Sequence, residues 1–133
     1  MAIYLASIND QQHHHGQVYC TTVKPMQGYT YLSFLAPTWD LVGGYKNHEA
    51  QGRDARWMRY TPLDEEQYTR AYWSLMMSPE RKPQWNAWVR GIQLEEDSTL
   101  LCYCPGRKGT FCHRQIIADM LHEWRDELII FLY

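Results

Sequence analysis

Two rhythms of apolar and polar positions alternate along this chain. Ala2 to Ala6 is a short apolar run closed by Ser7-Ile8-Asn9-Asp10, which predicts a strand followed by a polar loop. Val18 to Val23 is rich in β-favouring residues and stops at Pro25, and Tyr29 to Leu35 repeats the pattern up to Ala36-Pro37. Thr38 is placed to cap a short helix through Asp40 and Leu41, which Gly43-Gly44 is expected to break. From Tyr45 to Pro62 the sequence is polar and without period, the mark of a long loop of the kind that serves as a lid or binding loop.

The rhythm then becomes helical. Tyr68, Ala71, Tyr72, Leu75 and Met76 form an amphipathic stripe, opened by Pro62 and the acidic turn Asp64-Glu65-Glu66 and ended by Pro79. Trp85, Trp88, Val89 and Ile92 repeat the spacing, with Gly91 near the end. Both stripes read as core contacts. Thr99 to Tyr103 is predicted as a strand, and Gln115 to Trp124 as a helix with Ile116, Ile117, Met120, Leu121 and Trp124 inward. Leu128 to Tyr133 is a continuous apolar run, expected to be a strand buried on both faces of a helix-covered sheet. Strand, helix, strand at this end predicts a right-handed crossover. The expected fold is one α/β domain over residues 1–133: three layers, a mostly parallel, Rossmann-like sheet with helices on both faces.

Composition narrows the function. A chain of 133 residues with net charge −2 lacks the basic face that duplex nucleic acid demands, although Arg107, Lys108, His113 and Arg114 make a local basic patch suited to a small phosphorylated ligand. Six Trp, ten Tyr and three Phe supply both core and walls for flat ligands. No apolar stretch is long enough for a membrane helix, and no secretory leader is evident, so the reading is a cytoplasmic protein with four reduced cysteines. His13, His14 and His15 are adjacent and cannot all face one ion from a regular element. They read as a solvated loop.

The chemistry concentrates between Cys102 and Arg114, where a strand end leads through a loop into a helix, the place at which α/β sheets hold ligands. Three readings of this segment stand. Cys112 at a helix start, next to His113 and Arg114, is placed to be a nucleophilic thiolate. Alternatively Cys102, Cys104, Cys112 and His113 form a Cys3His set for zinc or iron, although neighbouring Cys112 and His113 would both have to turn toward one ion. In the third, the cysteines are small core residues and His113 with Arg114 hydrogen-bond an anionic ligand. Arg114 opposes the helix dipole, which an anion would explain and so would an ion pair with Asp119, Glu95 or Glu96.

Leu100-Leu101-Cys102-Tyr103 followed by Phe111-Cys112-His113-Arg114 and an apolar helix resembles the family called domain of unknown function 488 (DUF488), phage-encoded relatives included. The family pattern is a strand ending in Leu-Cys-any-Glu, a short loop and Cys-His-Arg. Leu35-Ala36-Pro37, Tyr45-Lys46 and the Tyr68 to Tyr72 helix extend the resemblance over most of the chain and add Lys46, Tyr68 and Tyr72 to the candidate ligand-binding residues. Cys104 departs from the pattern: a thiol replaces a carboxylate that could act as a base or pair with Arg114, and it raises the case for a metal. The resemblance implies the fold more than the reaction.

The leading expectation is a pocket that binds or processes a nucleotide or other phosphorylated ligand by transfer or hydrolysis. Cys112 would be the nucleophile, His113 the acid/base and Arg114 the anion clamp, with Cys104, Arg107 and Lys108 contacting the ligand. The alternative, from another class, is a metal-stabilised binding protein that docks on a protein partner, as small phage products do.

Overall fold

In the computed structural model, which describes residues 2–91, 97–102, 111–124 and 128–133, the described residues form five strands and four α-helices. The strands are β1 (Ala2–Ser7), β2 (Gln17–Cys20), β3 (Thr30–Tyr31), β4 (Ser98–Cys102) and β5 (Ile129–Leu132). The helices are α1 (Trp39–Glu49), α2 (Glu65–Met76), α3 (Lys82–Gly91) and α4 (His113–Trp124). All strands run parallel in the order β3-β2-β4-β1-β5, which is the α/β architecture that the alternation of strand and helix signals predicts.

Alternation along the strands sorts side chains between the two faces of the sheet. Ile3, Leu5 and Leu100 join Leu41, Tyr72, Met76, Val89, Ile117 and Leu121 of the helices in the main core. Ala6, Ile8 and Leu101 form a smaller cluster, packed by Val18, Met26, Tyr29 and Tyr133. β4 and β1 sit at the centre of the sheet, and their buried side chains are apolar on both faces apart from Ser7 and Thr99.

β5 differs from expectation. Among the described residues it pairs only with β1, at the sheet edge, and Ile129, Phe131 and Leu132 are exposed. Its apolar run is one-sided cover rather than double burial, with Tyr4 stacked on Phe131 at 5.0 Å between ring centroids. β3 is also shorter than its run of β formers. Ser33–Leu35 tightens into a 3₁₀ turn, in which the Ser33 oxygen accepts from the Ala36 N–H and the next carbonyls are taken by side chains instead of by a neighbouring strand. Arg81 donates from Nη1 to the Phe34 and Ala36 oxygens, and the Tyr72 hydroxyl donates to the Leu35 oxygen at 2.7 Å.

Thr38 caps α1, accepting from the Leu41 N–H, but Gly43-Gly44 does not break the helix. A Cβ at Gly44 would lie 2.6 Å from the Thr61 oxygen, so the glycines bring the 60–63 segment against α1 rather than end it. The Asn47 side-chain amide donates to the Tyr60 oxygen at 2.8 Å and the Leu63 N–H to the Gly44 oxygen at 3.0 Å. The stretch read as a long loop therefore begins as helix, through Glu49, and its remainder is fastened to that helix. α2 begins with a capping box between Asp64 and Gln67.

The three histidines go separate ways. His13 bonds Asp10 at 2.6 Å and stacks on Tyr133, His14 Nε2 bonds the Ser7 oxygen, and the ring of His15 lies over Tyr4. Among the described residues no helix is long and apolar enough to cross a membrane.

Candidate functional site

The chain leaving β2 heads outward to β3, while the chain leaving β4 crosses β1 by way of α4 to reach β5. Adjacent strands whose continuations diverge leave a crevice beyond their carboxyl ends. A cavity of about 460 Å³ lies there. Thr22, Val23 and Lys24 line it from the end of β2, and Phe111, Cys112 and His113 from the start of α4. Trp39, Val42, Tyr45, Lys46 and Glu49 of α1, with Tyr68 of α2, close the remaining sides. Its size suits a small ligand.

The aromatic side of the cavity is pre-assembled. Phe111 packs on Tyr45 with centroids 5.0 Å apart and edge-on to Tyr68 at 5.3 Å. Trp39 is partly exposed at the rim, with the Lys24 ammonium 6.0 Å from its ring centroid. Lys46 and Glu49 stand 3.8 Å apart and both remain half-exposed, a weak pair that a stronger anion could displace.

Cys112 occupies the N-cap position of α4, immediately before the first helical residue. Its N–H donates to Gln115 Oε1 at 2.6 Å, which is the return half of a capping box with Cys in the place of Ser or Thr. The dipole of the helix start favours an anionic sulfur there. Cys112 Sγ is 3.4 Å from His113 Nδ1. On the other side of the ring, His113 Nε2 lies 3.1 Å from both the hydroxyl and the carbonyl oxygen of Thr21, the first residue past β2. The Thr21 hydroxyl itself donates to the Leu101 oxygen at 2.7 Å. Cys112, His113 and Thr21 are all buried, so this chain of contacts is screened from bulk water while its thiol end meets the cavity.

Arg114 follows at once and is 2% exposed. Its Nε and Nη1 are buried and find no hydrogen-bond partner among the described residues, nor does Arg114 form an ion pair with Asp119 there. A buried guanidinium normally has its donors satisfied, because leaving a charged group unpaired away from water is costly.

The structure therefore brings Lys46, Tyr68, Cys112 and His113 to one cavity, while Arg114, the next residue of α4, is buried and does not line it. Tyr72 does not line the cavity but packs behind it, its ring 5.9 Å from that of His113: it is fully buried, its hydroxyl is spent on Leu35, and burial pushes that hydroxyl well above the usual tyrosine range. Cys102 is fully buried at the end of β4 and does not line the cavity. Cys104, Arg107 and Lys108, and Glu95 and Glu96 as partners for Arg114, lie outside the described residues. Among the described residues no group of three His, Cys, Asp or Glu side chains is gathered to hold a metal ion.

Sequence reasoning missed Thr21, Lys24, Trp39, Glu49 and Gln115. Only Gln115 carried a local signal, the Cys-x-x-Gln spacing of a capping box. The others reach the site through the sheet order and the course of α1, which no short motif encodes.

A family model described as the active DUF488-N3 subclade matches residues 23–125. No curated protein and no solved structure matches the chain. The matched span holds α1 to α4 and most of the cavity lining, and on that extent the chain belongs to the DUF488 family, in its N3 subclade.

Proposed function

We propose that the cavity binds a phosphorylated small molecule with a flat ring, a nucleotide being the form that fits best, and acts on it through Cys112. The observation that carries this reading is the meeting, in one cavity, of the Cys112–His113 pair with an aromatic wall and the ammonium groups of Lys24 and Lys46. Aromatic faces hold a base whatever its edge pattern, and ammonium groups and a helix start hold phosphate. Arg114 supplies a buried cation with donors to spare. The description of the matched subclade as active agrees with a site whose reactive side chains are in place.

In this reading His113 takes the thiol proton, the Cys112 thiolate forms a bond to the glycosyl or phosphoryl centre as the bond from that centre to the leaving group breaks, the proton passes from His113 to the leaving group, and Arg114 holds the anion. The test is the alkylation rate of Cys112, followed by peptide mass spectrometry, in the presence of nucleoside monophosphates, nucleosides or inorganic phosphate. Shielding by nucleotides well beyond that by either fragment supports the reading. Equal rates with and without all three at millimolar concentration would sink it.

A further inference from the structure

Thr21 offers His113 Nε2 two oxygens and no proton. Its carbonyl oxygen can only accept, and its hydroxyl proton is already given to the Leu101 oxygen at 2.7 Å, which leaves lone pairs facing the ring. Nε2 must then carry the hydrogen of the neutral imidazole and donate it to Thr21. That assigns the lone pair to Nδ1, the atom 3.4 Å from Cys112 Sγ.

We propose that Thr21 is the positioning residue of the site: it fixes His113 in the tautomer that can take the Cys112 proton, and it holds the imidazolium that results. The inference rests on the reading of Cys112 and His113 as a reacting pair. The step is a single proton transfer. The S–H proton of Cys112 moves to Nδ1, sulfur keeps the electron pair as thiolate, and the imidazolium retains its Nε2–H bonds to Thr21. With the hydrogen on Nδ1 instead, that N–H would point at sulfur and could accept nothing.

The placement also explains why this work falls to a residue so far away in sequence. Cys112 and His113 are neighbours at the start of one helix, so neither can orient the other's ring from behind. An acceptor must come from a different element, and the parallel register that pairs Cys20 with Leu101 puts Thr21 there, with its own N–H bonded to the Leu101 oxygen at 2.9 Å. Thr21 is thus held at both its N–H and its hydroxyl by one β4 carbonyl. A rigid acceptor is what a general base requires of its support.

Two measurements test this. The first needs no variant: long-range proton–nitrogen NMR correlations of the whole chain near neutral pH should show the neutral His113 ring protonated at Nε2, and a ring protonated at Nδ1 overturns the proposal. The second compares Cys112 alkylation by iodoacetamide across pH in the wild type, Thr21→Val, Thr21→Ser and His113→Asn. Thr21→Val, which keeps the carbonyl acceptor, should slow the reaction near neutral pH by about three- to tenfold, the size expected for one ordinary hydrogen bond lost, and move the profile to higher pH. Thr21→Ser should restore the wild-type profile. If Thr21→Val matches the wild type while His113→Asn is slow, the reacting pair stands and the part given to the Thr21 hydroxyl is wrong. If Thr21→Ser is as slow as Thr21→Val, Thr21 is merely structural. If His113→Asn reacts like the wild type, the pair itself is refuted.

Discussion

A Cβ on Gly43 would lie 2.2 Å from Cδ2 of Tyr60, so the Tyr60 ring rests directly on the α1 backbone. In an isolated helix Ala would be better than Gly by about 1 kcal/mol. Here the clash outweighs that gain, because the Tyr60 segment is held in place by Asn47 and by the Leu63 N–H. Gly43→Ala should lower stability by about 2 kcal/mol or more, an overpacking cost read in urea melts. A variant as stable as the wild type would mean that the segment is free to lift away.

Tyr72 links α2 to the turn before α1 through its bond to the Leu35 oxygen. Tyr72→Phe leaves that buried oxygen without its donor and should cost about 1–3 kcal/mol. The pH dependence has a defined sign. Burial raises the folded-state pKa of Tyr72 above the unfolded value, so its contribution is complete below about pH 10 and is lost as pH rises beyond it. Over that alkaline range the wild type should lose up to about 1.4 kcal/mol per pH unit more than Tyr72→Phe does, measured by denaturant midpoints. Parallel decline of the two proteins would show that Tyr72 is not the group responsible.

Arg114 is the test of the anion. Replacing a buried guanidinium whose Nε and Nη1 have no partner among the described residues by an apolar side chain of similar length removes a desolvation cost, so Arg114→Met should be more stable than the wild type by about 1–3 kcal/mol without added anion. Phosphate or a nucleotide should raise the wild-type Tm and leave the variant's Tm unchanged. A strong loss of stability in Arg114→Met would make the residue a structural partner instead.

Trp39 reports on the ring of the ligand. It lines the cavity and is 43% exposed, so a stacked base should quench its emission. Trp39→Phe should abolish most of the nucleotide-induced fluorescence change while keeping binding within about tenfold, since one aromatic replaces another on a platform worth about 1–3 kcal/mol per base. An unchanged quench would assign the signal to one of the other five tryptophans.

Where the sequence spoke clearly, neighbours along the chain settled the outcome. The Tyr68, Tyr72 and Met76 stripe and its acidic start became α2, and Thr38 became a cap, because spacing and capping are local. Gly43-Gly44 misled because its reason lies in Tyr60 and Thr61, which fold back from another segment. The last apolar run was read as doubly buried because composition cannot tell a central strand from an edge strand, a distinction made by sheet order. The site divides in the same way. Cys112 and His113 are recognisable from a helix start, whereas Thr21 and Glu49 gain their meaning only when β2 and α1 are set beside them.

The sheet order also dictates when the protein can fold. Leu5 of β1 sits between Leu100 of β4 and Leu132 of β5, so β1 is made before both of the strands it pairs with and waits for them. Until they arrive its apolar face has only helices to lean on and no strand beside it. Such distant pairing makes for slow, cooperative closure, and it places the assembly of Thr21 against His113 among the final events. Cys112 is made before β5, so it meets Thr21 through His113 only as the sheet closes around it.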